Sequence, residues 1–316
     1  MTAEIYVNKL RRGDVFRDWL VGVLEDRITN KDCKVRVFKK GHSSHTVCRF
    51  EFAGENYSVM AKFFAEPKGI IRDYDPREAM LREYLNLRKL EKIIDIARPI
   101  AIQEGFNFVL VTEYISGTPL SSYMADEKDL YDRLTSVANV LTKLHHNTTN
   151  CYNKEQNFAK FHSLLDYLGL EPSLREQFNC LLGKWWYSSL LDQNYGCMIH
   201  RDVSPTNYIF KDGKIYALDF ESSWDHGNPV HDLGVLSAEI KNFFALKGSD
   251  KNAEPYIGHF LWQYSRDEKK FGKVTRKVPF YIAYGLLRIS RLNWDPDHRK
   301  YLVKEAIKCL RAIEKV

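Results

Sequence analysis

The chain has 316 residues, of which 44% are hydrophobic and 13% aromatic, and its 47 basic and 41 acidic residues give a net charge of +6. This length and composition allow two domains with packed cores, which excludes an intrinsically disordered chain. The first residues lack the apolar run of a signal peptide, and no stretch is apolar for long enough to cross a bilayer. We therefore expect a cytoplasmic protein that does not insert into membranes.

Cysteine and charge patterns exclude two further classes of site. The six cysteines are scattered without a Cys-x-x-Cys pair, which favours reduced thiols over a zinc site. Basic residues are dispersed and no recognition motif is present, so nucleic-acid binding is not expected. The densest basic cluster, Lys269–Lys277, indicates a solvated loop, with contact to an anionic substrate or partner as the alternative.

The first third of the chain predicts a small antiparallel sheet. Apolar residues at helical spacing predict a leading amphipathic helix at 15–28. Alternation and turn signals then predict five short strands, with a helix at Arg77–Leu90 between the third and the fourth. The predicted strands are Cys33–Phe38, Thr46–Phe52, Tyr57–Phe64, Pro99–Ala101 and Phe106–Tyr114.

The turn between the first two strands is a candidate phosphate-binding loop. Gly41, Ser43 and Ser44 are small residues whose backbone N–H groups can approach phosphate oxygens closely. The turn contains one glycine, so an ordinary hairpin turn is the alternative interpretation.

Lys62 and Glu83 are predicted to form an ion pair. Lys62 shares a strand face with Met60 and Phe64, because side chains alternate along a strand. A lysine on an apolar face requires a partner or an anion to offset its desolvation. Glu83 lies on the apolar stripe of the following helix and can supply the carboxylate. A strand lysine held by a helix glutamate is the arrangement that positions nucleotide phosphates in kinases.

The segment after the last predicted strand joins the sheet to a mainly helical region. Backbone donor and acceptor groups of Glu113 and Ile115 can bind the edge of an adenine ring there. We place an N-terminal, nucleotide-binding domain at residues 1–113 and a C-terminal domain at residues 114–316.

The stretch from Ile199 to Phe220 carries the strongest chemical signal. Asp202 and Asn207 follow an apolar strand, and the hairpin signal Lys211-Asp-Gly-Lys214 predicts that Asp219 returns beside them. A carboxylate can orient a hydroxyl and accept its proton, while an amide oxygen and a second carboxylate are hard ligands for Mg²⁺ on nucleotide phosphates. The order of these residues predicts phosphoryl transfer.

These motifs resemble those of the aminoglycoside phosphotransferase and choline kinase-like branch of the protein kinase-like fold. The segment Ile199-His-Arg-Asp-Val-Ser-Pro-Thr-Asn-Tyr-Ile-Phe210 is similar to that family's His-Gly-Asp-Leu-His-Pro-Gly-Asn loop, and Ala217-Leu-Asp-Phe-Glu221 is similar to its Ile-Asp-Trp/Phe-Glu motif. The resemblance implies an α+β, bilobal fold with a five-stranded antiparallel lobe, one helix in that lobe and a larger helical lobe. It also implies that ATP, or sometimes GTP, is the donor and a small-molecule hydroxyl the acceptor.

Carried over to matching positions, the resemblance implies that Asp202 is the catalytic base and that Asn207 and Asp219 bind Mg²⁺. It also implies that Lys62 contacts the nucleotide phosphates with Glu83 behind it. Arg201 and Glu221 are candidate substrate-binding residues near the base. Arg201 stands where this family usually has glycine, which is a departure towards the His-Arg-Asp sequence of protein kinases.

Two other functions compete with a small-molecule kinase. A protein kinase-like enzyme acting on Ser/Thr would explain His200-Arg201-Asp202, but only thirteen positions separate Asp219 from Asp232, which is too few for a regulatory activation segment. A non-catalytic nucleotide-binding module would not require the full set of catalytic residues. The sequence leaves open the identity of the acceptor (a sugar, polyol, amino alcohol or related metabolite) and the oligomeric state.

Overall fold

A computed structural model describes residues 4–41, 45–65, 74–292 and 295–315. The chain divides into two compact units. The first comprises residues 1–117 and 209–221, and the second comprises residues 118–208 and 222–316. The segment that carries Asp219 is therefore part of the first unit, although it lies in the C-terminal half of the chain.

The first unit is built on a six-stranded antiparallel sheet with the strand order β1-β2-β3-β4-β6-β5. Its elements are β1 (Glu4–Leu10), α1 (Val15–Val23), β2 (Val35–Lys40), β3 (Thr46–Phe52), β4 (Tyr57–Phe63), α2 (Pro76–Leu90), β5 (Pro99–Gln103) and β6 (Val109–Glu113). The expected count of five strands was therefore one too low, and this unit has two helices. Strand β1 was missed because nearly all of its side chains are exposed at the sheet edge, so they show no pattern of alternating burial.

Local chemistry fixes the two helices of this unit. The Asp14 carboxylate caps α1 by accepting a hydrogen bond from Arg17 N at 2.9 Å. The Asp75 carboxylate caps α2 in the same way, and Pro76 occupies the first turn, where a missing N–H has no cost. Leu20 and Leu24 pack with Val35, Phe50 and Val59 in the core of the unit.

The second unit is mainly helical. Its elements up to residue 208 are β7 (Thr118–Pro119), α3 (Leu120–Asp126), α4 (Leu130–Asn147), β8 (Thr149–Cys151), α5 (Lys154–Leu168), α6 (Pro172–Tyr187) and β9 (Tyr195–Ile199). The hairpin strands β10 (Tyr208–Lys211) and β11 (Lys214–Ala217) come next in the chain and, from residue 209, belong to the first unit. The second unit continues with β12 (Trp224–Gly227), α7 (Val230–Leu246), α8 (Ala253–Ser265), α9 (Glu268–Leu292) and α10 (Pro296–Leu310). Short 3₁₀ helices lie at Ser189–Leu191, Pro205–Asn207, Asp250–Asn252 and Arg311–Lys315.

The packing of α7 against α9 forms the centre of this unit. Gly234 on α7 permits a close approach, because a Cβ built there would lie 2.3 Å from Tyr281 Cβ and 2.6 Å from Tyr281 C. Trp185 is fully buried and donates from Nε1 to Leu310 O at 2.9 Å, which ties α6 to the end of α10. The 25-residue helix α9 overlaps the basic cluster at 269–277, so those residues lie on a helix and not in the expected loop.

Candidate active site

The loop after β9 brings Asp202 and Asn207 into direct contact. Asn207 closes a 3₁₀ turn that begins at Pro205, and its Nδ2 donates to Asp202 O at 3.0 Å and to Asp202 Oδ2 at 3.1 Å. Because the amide nitrogen of Asn207 is used in this way, its oxygen can act as an acceptor or a metal ligand. The sequence-predicted pair is therefore formed within the second unit.

Asp232 holds the backbone of this loop. Its carboxylate accepts hydrogen bonds from His200 N at 2.7 Å and Arg201 N at 3.0 Å. It also contacts His145 Nε2 at 3.1 Å and His231 Nδ1 at 3.2 Å. Burial would raise the pKa of Asp232, but these contacts lower it well below its usual range, so Asp232 is an anion. A fully buried charge thus holds the backbone of the two residues that precede Asp202.

Arg288 on α9 contacts Asp202 directly. The Arg288 guanidinium donates to Asp202 Oδ1 and to Arg201 O. Burial alone would raise the pKa of Asp202, but the charge and hydrogen bonds of Arg288 outweigh it and leave the pKa lowered. Asp202 is therefore ionised near neutral pH, as a proton acceptor must be.

Glu239 on α7 is a second carboxylate near this pair. Burial raises the pKa of Glu239 to about 7, with the Arg288 charge opposing the shift and the Asp202 charge adding to it. Neither Arg288 nor Glu239 was identified from the sequence. Each is a single charged residue on a helix far along the chain from Asp202, and no local pattern separates it from a solvated surface residue.

In the first unit, Lys62 lies among three carboxylates. Its Nζ is 2.8 Å from Glu83 Oε2, 2.8 Å from Asp219 Oδ1 and 2.8 Å from Glu221 Oε2. The predicted lysine–glutamate pair is thus present in the geometry. Strand β11 brings Asp219 to this position, because Ala217 N donates to Asp95 O at 3.1 Å and Asn86 Nδ2 donates to Phe220 O at 3.3 Å.

The charged groups of this cluster shift one another's pKa values. Burial would lower the pKa of Lys62, but the three carboxylates raise it well above its ordinary value, so the ammonium is retained. Burial raises the pKa of Glu83 to about 7, against the opposing charge of Lys62. The His45 ring, which was not identified from the sequence, lies 2.9 Å from Glu221 Oε1. Although burial opposes the shift, His45 and Lys62 lower the pKa of Glu221 to about 2.

The same three carboxylates could each offer one oxygen ligand to a metal ion, although the Lys62 ammonium already lies among them. Oxygen atoms of Glu83, Asp219 and Glu221 all lie within 4.8 Å of one another, and hard oxygen donors of this kind suit Mg²⁺. Asp219 lies two residues after the end of β11 and has φ +63°, a left-handed backbone conformation that turns the chain there. The structure places Glu221, the candidate substrate residue, against Lys62 and His45 within this cluster.

The remaining nucleotide-binding candidates lie at the end of β2 and after β6. Gly41 directly follows β2, while Ser43 and Ser44 lie outside the described residues. The backbone N–H of Glu113 donates to Arg98 O at 2.9 Å, and its carboxylate lies 3.7 Å from Arg27 Nη1. Glu113 and Ile115 line a cavity of about 790 Å³ in the first unit, whose walls do not include Lys62.

Comparison with known proteins identifies the family. Residues 35–266, well over half of the chain, match the model of the phosphotransferase enzyme family (APH). The chain belongs to this family. The phosphotransferase shows no match in a sequence comparison with curated proteins.

Solved structures of other proteins share the fold of this chain. The phosphotransferase is similar to an APH(2'')-IIa enzyme solved as a ternary complex with streptomycin and ATP, with 17% identity, TM-score 0.61, and coverage of 95% of this chain and 97% of the other. It is also similar to a choline kinase from Cryptosporidium parvum, with 13% identity, TM-score 0.61, and coverage of 94% and 95% of the two chains. A choline/ethanolamine kinase family protein from Mesorhizobium loti gives 16% identity, TM-score 0.62, and coverage of 96% and 99%.

These similarities establish the α+β, protein kinase-like fold that the motifs predicted. Within the described residues, no helix combines the length and the apolar character needed to cross a bilayer.

Proposed function

We propose that this phosphotransferase moves the γ-phosphate of ATP to a hydroxyl group of a small molecule such as a sugar, a polyol, an amino alcohol or a related metabolite. The observation that carries the proposal is the convergence of Glu83 and Asp219 on the Lys62 ammonium, each at 2.8 Å. A lysine held between a helix glutamate and a metal-binding aspartate is suited to nucleotide phosphates. Family membership supports phosphotransfer, and the ATP complex of the related APH(2'')-IIa enzyme supports ATP as the donor.

Asp202 is the proposed base. Its lowered pKa keeps it ionised, and Asn207 and Arg288 fix its orientation. In the proposed reaction, the acceptor O–H proton passes to the Asp202 carboxylate as the hydroxyl oxygen bonds to the γ-phosphorus. The bond from that phosphorus to the β–γ bridging oxygen breaks, and ADP leaves.

Mg²⁺ is the proposed metal, held by Asn207 and Asp219. The free amide oxygen of Asn207 and the partly exposed carboxylate of Asp219 provide the required oxygen donors. When bound, the ion would neutralise charge on the phosphate oxygens. The Lys62 ammonium would then bind phosphate oxygens, and Glu83 would keep the ammonium in place.

We further propose that residues 1–113 bind the nucleotide and that the C-terminal part, residues 114–316, binds the acceptor. We also propose that the enzyme acts in the cytoplasm, which is supported by its six free cysteine thiols. Glu113 and Ile115 remain the proposed adenine contacts, and Gly41 with Ser43 and Ser44 remains the proposed phosphate loop.

The test is a screen of purified protein with ATP and Mg²⁺ against hydroxyl-bearing metabolites, measured as acceptor-dependent ADP release. The phosphorylated product is identified by mass spectrometry. Asp202→Asn should reduce turnover by roughly three orders of magnitude or more while retaining nucleotide binding. Asp212→Asn is the matched control, since Asp212 is exposed in the β10–β11 turn.

Full turnover in the Asp202→Asn variant would show that Asp202 is not the base. Phosphate incorporation into Ser/Thr of a protein substrate, with no small molecule accepted, would instead favour the protein kinase-like alternative.

A further inference from the structure

A small pocket in the second unit adjoins the catalytic loop. Its walls include Lys160 from α5, Arg201 from the loop, Trp224 from β12 and Tyr284 from α9. Arg201, one of the lining residues, immediately precedes the proposed base in the chain. Its volume is about 10 Å³, which is room for one group of the size of a water molecule.

Lys160 presents an uncompensated cation to this pocket. Its ammonium lies 3.7 Å from the centroid of the Trp224 ring, which holds it in place. Burial and the nearby positive charge of Arg201 lower the pKa of Lys160 to about 7. Within the described ranges of the chain, no carboxylate is paired with this ammonium. A partly buried cation beside a second cation has a desolvation cost that an anion would offset.

Arg201 supplies the second cation, and its backbone adopts an energetically unfavourable conformation. Its φ is +66°, a left-handed conformation that a residue with a Cβ adopts at an energetic cost and that glycine adopts readily. Asp232 holds this backbone through Arg201 N at 3.0 Å. The Arg201 guanidinium donates to Ser222 O at 3.1 Å, and a guanidinium has five N–H donors, so others remain for a ligand.

His231, which also lines the pocket, does not supply the missing negative charge. His231 is buried, and burial lowers its pKa, so near neutral pH the ring is uncharged. Its Nδ1 contacts the Asp232 carboxylate, which is fully buried and is used by the loop backbone. The pocket therefore presents the Arg201 guanidinium and, in its protonated form, the Lys160 ammonium between aromatic walls.

We propose that Lys160 and Arg201 form a subsite for an anionic group of the acceptor, so that the acceptor is a hydroxy acid or a phosphorylated sugar or polyol. This inference rests on the proposed function, because it assigns the acceptor class of the same phosphoryl transfer. The pocket has room for one oxygen of a carboxylate or phosphate group, and both cations line it. A cationic amino alcohol of similar size would be repelled by the same two side chains.

The first test compares acceptors that differ in charge. Glycerol is paired with glycerate and with glycerol 3-phosphate, sorbitol is paired with gluconate, and ethanolamine is the cationic member. Acceptor-dependent ADP release gives kcat/KM for each compound with the wild type, Lys160→Met and Lys304→Met. Lys304 is an exposed lysine on α10 and serves as the matched control.

The wild type should prefer the anionic member of a pair by about tenfold or more, and Lys160→Met should remove most of that preference and bring the ratio close to one. Lys304→Met should leave the ratio unchanged. Comparison of glycerate with glycerol 3-phosphate distinguishes a carboxylate from a phosphate. A preference for glycerol, sorbitol or ethanolamine would overturn the anionic subsite while the proposed phosphotransfer remains. An anionic-to-uncharged preference ratio that Lys160→Met leaves unchanged would also overturn the anionic subsite.

A second measurement does not depend on turnover, so it decides the inference even if no compound is phosphorylated. Competitive acetylation at pH 7, followed by mass spectrometry of each lysine, should show Lys160 reacting faster than Lys304. Gluconate or glycerol 3-phosphate should slow acetylation of Lys160 several-fold at concentrations where sorbitol has no effect. Unchanged reactivity of Lys160, or protection confined to Lys62, would refute the subsite.

Discussion

The Arg288 guanidinium donates a hydrogen bond to Asp202 Oδ1, so the proposed base is held by a charged residue 86 positions further along the chain. The same guanidinium donates to Arg201 O and thereby fixes both the carboxylate and the loop that carries it. A charge-assisted hydrogen bond of this kind is stronger and more directional than a neutral one. Arg288 is therefore a positioning residue for the proposed base.

Arg288→Gln should change both the rate and its pH dependence. Loss of the guanidinium removes an interaction that lowers the pKa of Asp202, so the pKa rises and the acidic limb of the kcat profile moves to higher pH. The loosened carboxylate should reduce kcat by roughly tenfold to a hundredfold. Both effects are measured in one series of ADP-release assays from pH 5 to 9. Arg291→Gln, on the exposed side of α9, is the control, and identical acidic limbs in wild type and Arg288→Gln would contradict the positioning role.

Glu83→Gln should weaken the use of ATP. The substitution removes the Oε2 contact at 2.8 Å that holds Lys62 from α2, while Asp219 and Glu221 remain beside the ammonium. We expect kcat/KM for ATP to fall by roughly tenfold to a hundredfold with no change in fold by circular dichroism. Glu78→Gln on the same helix is exposed and should have no effect. Equal kinetics for the two variants would exclude Glu83 from nucleotide positioning.

Glu221 should stabilise the nucleotide-free protein in a pH-dependent way. His45 and Lys62 lower the pKa of the folded-state carboxyl from 4.5 to about 2. A lowered folded-state pKa gives stability that is fully present above about pH 4.5 and is lost as the pH falls towards 2. Urea denaturation should therefore show that Glu221→Gln reduces the free energy of unfolding by roughly 1–3 kcal/mol at pH 6, with a smaller reduction at pH 3. If wild type and Glu221→Gln differ in free energy of unfolding by the same amount at pH 6 and pH 3, the lowered pKa of Glu221 does not contribute to stability.

Gly234→Ala should destabilise the second unit. The new Cβ would meet backbone atoms of α9, including Tyr281 C at 2.6 Å and Ile282 N at 2.8 Å, and backbone atoms cannot rotate away. We expect a loss of roughly 1–3 kcal/mol in the free energy of unfolding. Gly258→Ala is the opposite control, because no atom lies within 4 Å of its added Cβ and α8 should gain up to about 1 kcal/mol in stability. Urea midpoints that shift in the same direction for both variants would contradict this view of the α7–α9 contact.

Much of the first unit follows from the sequence because its signals are local. The third predicted strand, which carries Lys62 on the face it shares with Met60, and the helix carrying Glu83 agree with β4 and α2 within one residue at each end. Alternation along a strand and apolar spacing along a helix determine which face each residue occupies. The hairpin signal at Lys211–Lys214 likewise predicts β10 and β11, and so the return of the chain to Asp219.

The sequence by itself thus determined the protein kinase-like fold, the loop that carries Asp202 and Asn207, and the Lys62–Glu83 pair. Only the tertiary structure revealed that Arg288 holds Asp202, that His45 contacts Glu221 and that Lys160 lies over Trp224. The physical reason is the distance along the chain over which each kind of signal acts. Turn chemistry and periodicity act over a few neighbouring residues, whereas the partner of a buried charge is selected by helix and strand packing between segments far apart in the chain.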